Sequence, residues 1–439
     1  MLSQHKETRR SAFYGWRLVG ALWFLDMLNM GFPLYCAAVI HSYMLQQIPM
    51  DRATFGLGYT LVNFFVGVPS VLIGAVIIRW GIRSTLVIGA VLILAGSLWM
   101  ALVTTAPWHY LVGFGVLIGT GVGFGTVMPM ATSITRWFVR YRGRAMAIAF
   151  TAWGVAGFLG APQFNRLLEA NGGNFRSAWL VIAGLSVLSA GIAYAFVVER
   201  PEDLEQLPDG APPGAGVHRS ERTKERVTPY AWTPQQAYRT RAYWMIYIGS
   251  IACQFPSFFF TAHGILHLKL AGLTAAEAAW AMGLYTLGGV AGRLIGGVLV
   301  DKIAERFAFM IGLSFYVVGT FLALRILPGS LWIADAAAIL YGAGMGSAFI
   351  CLNTITGNYY GPAAFPRLNG MMMMLSGLVC SLAGLVGGRL FDVSRSYTPA
   401  FLLNLILCAA GLAALLFAKM PRPEGTFAEG VLATDNRSG

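Results

Sequence analysis

The sequence predicts an all-α membrane protein of twelve transmembrane helices, arranged as two parallel-related six-helix bundles. Three observations carry this: a composition too apolar for a water-soluble domain, a succession of membrane-length apolar runs, and an internal repeat at one fixed shift.

Of 439 residues, 56% are hydrophobic and 11% charged, and the mean hydropathy is +0.63. Windows such as 86–103 and 400–418 run for 18 or more residues with almost no charge, the length a helix needs to cross ~30 Å of hydrocarbon. Apolar runs between charged or Pro/Gly breaks fall near 15–43, 53–78, 84–105, 109–136, 143–168, 175–198, 242–269, 275–300, 306–326, 331–358, 366–391 and 398–419. The expected organisation is an N-terminal tail (1–14), a first bundle (15–198), a flexible linker (199–241), a second bundle (242–419) and a C-terminal tail (420–439). The first apolar run is too long for a signal-peptide core, so it reads as a retained span.

Orientation follows from charge. The even-numbered gaps carry Arg79 and Arg83, Arg136, Arg140, Arg142 and Arg144, the long central loop, Lys302 and Arg306, and Arg367, whereas the odd-numbered gaps carry few Lys or Arg. Basic residues in short loops resist translocation, which places the even gaps and both termini in the cytoplasm. The net charge of +12 is spread over helix ends and forms no basic stripe, so nucleic acid is not an expected partner. Cys36, Cys253, Cys351, Cys380 and Cys408 lie in apolar stretches without CxxC spacing and read as small packing residues.

Shifting the sequence by 223 residues aligns Gly74 with Gly297, Gly119, Gly121 and Gly123 with Gly342, Gly344 and Gly346, Arg144 with Arg367, and Gly154 with Gly377. A run of alternating glycines and an arginine matching at one shift is the mark of a duplication in the same orientation. Two parallel halves across a linker suit alternating access, with two bundles rocking about a midplane site. The glycines permit close helix crossings in lipid; whether those crossings also slide is open at this point.

The segment from Gly297 through Asp301 and Lys302 to Arg306 resembles the signature loop of the major facilitator superfamily, G-x-x-x-D-[RK]-x-x-x-[RK]. The first-half copy keeps Gly74, Arg79 and Arg83 but has Ile78 in place of the aspartate. Within that superfamily, Tyr14-Gly15-Trp16, Arg136-Trp137-Phe138 with Arg142-Gly143, the stretch 237–244, Gly361-Pro362 and 390–397 resemble the branch of monocarboxylate transporters and oxalate/formate exchangers. The resemblance implies the major facilitator fold, transport in place of catalysis, and no cofactor. It also implies a conformational latch at Asp301 with Lys302 or Arg306, joined by Arg79 and Arg83; a purely topological role for these charges is the competing reading.

An ionisable residue at membrane depth is costly, ~2.5–3.5 kcal/mol on insertion scales, so each one needs a cavity or a partner. Arg293 lies about eight residues, ~12 Å of helix, before Asp301. Its planar fork of donors fits a carboxylate, and the branch places a substrate-binding arginine here; a structural ion pair is the alternative. Gly289 stands where eukaryotic monocarboxylate members carry an aspartate, Leu34 where they carry a lysine, and 371–377 lack the lysine of oxalate exchangers. A single fixed cation points to one carboxylate on the cargo.

Asp26 lies about ten residues into the first span. A carboxylate there is costly to keep charged, which suits it to taking up and releasing a proton; neutralising Arg293 and an interfacial position are the other readings. Tyr35, Gln254, Tyr285, Asn353 and Thr354 are candidate cavity hydrogen-bonders. His263 and His267 share a helix face, either as hydrogen-bonded cavity histidines or as a titrating or metal pair. No third ligand accompanies them, so no metal is expected. Phe258, Phe259 and Phe260 read as lipid or core contacts.

The expected function is secondary active transport of a small organic anion across the inner membrane, coupled to protons or a counter-anion, by a carrier acting as a monomer in the lipid bilayer. Efflux of lipophilic drugs, hinted at by residues 157–162, and import of a larger carboxylated compound such as a siderophore chelate are the alternatives. No HExxH, GxSxG or phosphate-binding loop supports a membrane enzyme or sensor.

Overall fold

The computed structural model describes residues 13–50, 52–210 and 227–422. The expected tails, apart from residues 13–14 and 420–422, and the middle of the expected linker, with Arg219 to Arg226, lie outside the described residues.

Every regular element among the described residues is helical. Ten continuous helical stretches are long and apolar enough to cross a bilayer, and two of them are pairs. The backbone turns at Gly81 (φ 88°, ψ 172°) inside Ser70–Leu102 and at Gly361 (φ 75°, ψ 168°) inside Leu331–Ser381. Only glycine adopts such angles without steric cost, so these two residues let consecutive spans reverse with almost no loop. Twelve rods result: α1 (Gly15–Gln47), α2 (52–80), α3 (82–102), α4 (Pro107–Trp137), α5 (Arg142–Ala170), α6 (Phe175–Phe196), α7 (Arg241–Leu270), α8 (Ala275–Lys302), α9 (Glu305–Ala323), α10 (331–360), α11 (362–394) and α12 (Thr398–Phe417).

The 223-residue shift reappears as matched contacts. A Cβ on Gly119, Gly121 or Gly123 of α4 would press on Val62, Ile93 and Val66; on Gly342, Gly344 or Gly346 of α10 it would press on Tyr285, Tyr316 and Gly289. Each second-half partner stands 223 residues beyond its first-half counterpart. At Gly119, Gly123, Gly342 and Gly346 the nearest atoms are backbone, tightest where a Cβ on Gly342 would lie 1.9 Å from the Tyr285 carbonyl, the close approach by which helices associate without a hydrophobic driving force.

A second matched pair joins the bundles. Gly143 of α5 packs against Gly297 and Val300 of α8, and Gly74 of α2 packs against Pro366 of α11, again related by the shift. These crossings lie at the end of the molecule that holds both described chain ends. There the flanks of the central segment are folded onto the bundles. Glu199 accepts from the N–H groups of Ile82 (2.9 Å) and Arg83 (2.8 Å) and pairs with Arg136 at 3.2 Å. Asp209 accepts from the N–H groups of Val139 and Arg140, and the Thr228 N–H donates to the Asn358 carbonyl. Acidic groups at helix starts satisfy amides that have no intrahelical partner.

The outer surface carries exposed Leu72, Phe158, Leu188, Phe321 and Leu385, a belt unsuited to water and suited to acyl chains. All five cysteines are buried and free.

Candidate functional site

α1 enters the membrane as an α-helix and widens into a π-helix over Met27–Tyr35, with Pro33 inside it. Proline removes an N–H and crowds the carbonyl four residues earlier, and π-turns often mark functional sites. Asp26 is the last α-helical residue before the widening. It is fully buried, and neither carboxylate oxygen has a hydrogen-bond partner among the described residues.

Arg293 faces it from α8 of the other bundle, 4% exposed. Asp26, Tyr35 and Tyr285 all act electrostatically on its guanidinium, so the structure brings four of the candidates into one neighbourhood. Asp26 and Arg293 do not form a hydrogen bond. The guanidinium lies over the Trp153 ring of α5, its carbon 4.2 Å from the ring centroid, and one terminal nitrogen donates to the Met345 sulfur of α10 at 3.5 Å. Its other terminal nitrogen sits beside Gly289, where a Cβ would approach to 3.3 Å. The Nε–H has no partner among the described residues. The absence of a side chain at 289 therefore does two things: it leaves room for the fork, and it leaves the positive charge without an acid one turn earlier on its own helix.

Of the two tyrosines in this neighbourhood, Tyr35 packs edge-on against Trp153 at 5.9 Å, and Tyr285 shares a 2.6 Å hydrogen bond with Ser257. The remaining candidates stand apart. Gln254 donates to the Ser250 carbonyl and to Ser376. Asn353 donates to the Phe349 carbonyl and accepts from Asn369, and Thr354 reaches the Met146 sulfur across the bundle interface. His263 bridges Tyr397 (3.1 Å) and the Gly384 carbonyl (2.8 Å), while His267 meets the Ala323 carbonyl. The two histidines share a helix and both rings lie against Tyr397, but their hydrogen bonds go to different groups.

Among the latch candidates, Asp301 crosses the interface. It accepts from the N–H groups of Gly143 (3.0 Å) and Arg144 (3.2 Å) and pairs with the Arg144 guanidinium at 3.4 Å. Arg306 donates to the Leu416 carbonyl, Arg83 to the Val197 carbonyl, and Arg79 and Lys302 are exposed.

Two features escaped sequence reasoning. Trp153 carries no charge signal in an apolar run. Buried Arg142 donates to Asn358 of the other bundle, whose amide donates to buried Glu305 at 2.6 Å; that relay joins residues far apart in the chain. An apolar cleft of about 280 Å³ lies elsewhere, among Met27, Phe32, Leu159, Phe164 and Val181; it holds no charged side chain and does not border Arg293.

Comparisons with known proteins place the family and the fold. The family model of the Major Facilitator Superfamily matches residues 21–273 and 264–434. The chain is 26% identical to monocarboxylate transporter 13 of Bos taurus (92% of this chain, 89% of the relative), 23% to the oxalate:formate antiporter of Oxalobacter formigenes (90% and 85%), and 27% to the gallate transporter of Pseudomonas putida (93% of each). Its fold superposes on the crystal structure of the fucose:proton symporter FucP of E. coli with a TM-score of 0.70 at 14% identity, covering 93% of this chain and all of that one. Twelve helices in two repeated bundles, the signature loop and these matches together identify the chain as a multi-pass membrane transporter belonging to the Major Facilitator Superfamily.

Proposed function

We propose that this transporter carries a small organic anion with one carboxylate across the inner membrane by alternating access, with Arg293 as the cation that holds the cargo. One observation carries the reading: Arg293 is buried at the bundle interface, and among the described residues its Nε–H is unpartnered and the nearby Asp26 does not hydrogen-bond to it. A buried charge without a hydrogen-bonded counter-ion is costly, and a carboxylate cargo lowers that cost by accepting from the fork. The relatives named above, transporters of monocarboxylates, of oxalate and formate, and of gallate, all have carboxylates as cargo, which supports the same class here.

Asp26 is the proton-coupling group. With no hydrogen bond to hold its charge, it takes a proton when Arg293 engages the cargo and releases it when the site turns to the other side. The exchange reading, in which a counter-anion replaces the proton, is favoured by the oxalate:formate relative. The face carrying Arg142, Asp301 and the described chain ends is cytoplasmic by its basic loops, so this conformation is closed on the inside. Asp301 then serves as the latch, with Arg144 as its partner.

A thermal-shift panel of short-chain, dicarboxylic and aromatic acids on the purified protein tests the reading. A bound acid at a hundredfold excess over its Kd stabilises by about 2.7 kcal/mol, a clear rise in Tm that Arg293→Lys abolishes. Stabilisation by neutral or cationic compounds alone would reject it.

A further inference from the structure

Trp153 is placed to do more than fill space. Its ring is 3% exposed and is braced by Phe349 of the other bundle at 6.0 Å, by Tyr35 at 5.9 Å and by Phe150 of its own helix at 6.4 Å. The π-helical part of α1 presses on the same helix, since a Cβ on Gly31 would meet Ala156 and the Trp153 backbone. A ring held from several sides fixes whatever lies on its face, and Arg293 lies on its face.

The indole N–H is also buried and has no partner among the described residues, as is the case for the Arg293 Nε–H and for both Asp26 oxygens. Buried donors are nearly always paired. Two orphan donors on two groups in contact, one from each bundle and with an orphan carboxylate in electrostatic reach, form a polar site whose chemistry suits a carboxylate.

We propose that Trp153 is a second cargo-contacting residue, its indole N–H donating to the carboxylate that Arg293 holds. The inference rests on the anion-site reading above and adds a specificity element to it. Because the ring lies against one side of the guanidinium, its centroid 4.2 Å from the guanidinium carbon, the acid approaches from a side the ring leaves open. The cargo carboxylate then bridges α8 of the second bundle and α5 of the first. Binding thereby draws the bundles together at the midplane, and an acid too wide to reach both donors is held by Arg293 alone.

The experiment measures uptake of labelled lactate, oxalate and gallate by the full-length protein in proteoliposomes, for wild type, Trp153→Phe, Trp153→Leu and Arg293→Lys. Phenylalanine keeps the face and loses the N–H, so Trp153→Phe should raise KM for the transported acid about tenfold with the maximal rate retained. Trp153→Leu also frees the guanidinium and should lower the maximal rate as well. Unfolding temperature in detergent separates these effects from a general loss of fold, which would depress the maximal rate of Trp153→Phe without moving KM. An unchanged KM in Trp153→Phe, with Arg293→Lys inactive, overturns the role of Trp153 and leaves the anion site standing. Full activity of Arg293→Lys, or no saturable uptake of any of the three acids, overturns the anion site and the inference with it.

Discussion

Asp301 at the end of α8 pairs with Arg144 at the start of α5, 3.4 Å apart and from opposite bundles. The same carboxylate accepts from the N–H groups of Gly143 and Arg144. It therefore caps a helix that belongs to the other half, and rocking the bundles apart has to break these bonds. Asp301→Asn presents an amide to donors that need an acceptor. Charge-assisted bonds of this kind contribute ~1.5–3 kcal/mol each, so losing even one of them should populate the conformation open at this end at least about tenfold more. The check is maleimide labelling of Thr354→Cys, a buried interface position, against the five buried native cysteines; equal labelling rates in the presence and absence of Asp301→Asn would remove the latch role.

The Arg142–Asn358–Glu305 relay is a second cross-bundle tie, buried at each residue. Asn358→Leu removes the amide that accepts from the guanidinium and donates to the carboxylate. We expect a loss of ~2–4 kcal/mol in stability, visible as a lower detergent unfolding temperature, together with labelling at Thr354→Cys as in Asp301→Asn. An unchanged unfolding temperature contradicts the relay.

Gly346 tests the tightness of the α8–α10 crossing. A Cβ there would lie 2.1 Å from the Gly289 carbonyl and 2.7 Å from the Arg293 N, so Gly346→Ala must push α8 away from α10 and carry Arg293 with it. Overpacking of this kind costs ~1–3 kcal/mol, and uptake should fall with stability. Gly20→Ala, where a Cβ meets nothing within 4 Å, is the control and should leave both unchanged.

How much of this was legible beforehand differs by residue. Gly342 and Gly346 announced a close crossing because lipid offers helices little else to associate by, and their pairing with Gly119 and Gly123 revealed the duplication. Asp301 was legible from its loop signature, but its partners were not, because Gly143 and Arg144 lie more than 150 positions away and meet it only once both bundles dock. Arg293 stood out because charge at membrane depth is rare. Trp153 did not, since an aromatic residue in an apolar span looks like any other lipid or core contact until the guanidinium on its face is seen. Gln254, Asn353 and His263 drew notice as polar groups in apolar runs, yet their bonds run to Ser376, Asn369 and Tyr397 within their own bundle. Polarity in a membrane helix marks a need for a partner and does not say which one.

Asp26→Asn separates coupling from binding. If Asp26 carries the proton, wild-type uptake rises as the outside is acidified, because the protonated form accompanies the cargo. Asparagine stays neutral at every pH, so the variant should still bind the acid, shown by a retained thermal shift, while its uptake loses the dependence on external pH. A wild-type pH profile in Asp26→Asn would exclude Asp26 from coupling.

Arg293→Lys is the most direct test of the central claim. Lysine keeps the positive charge and loses the planar fork, so uptake of labelled acid into proteoliposomes should fall at least tenfold at equal reconstituted amount, with the unfolding temperature held. Uptake equal to wild type would show that the cargo does not bind at this arginine.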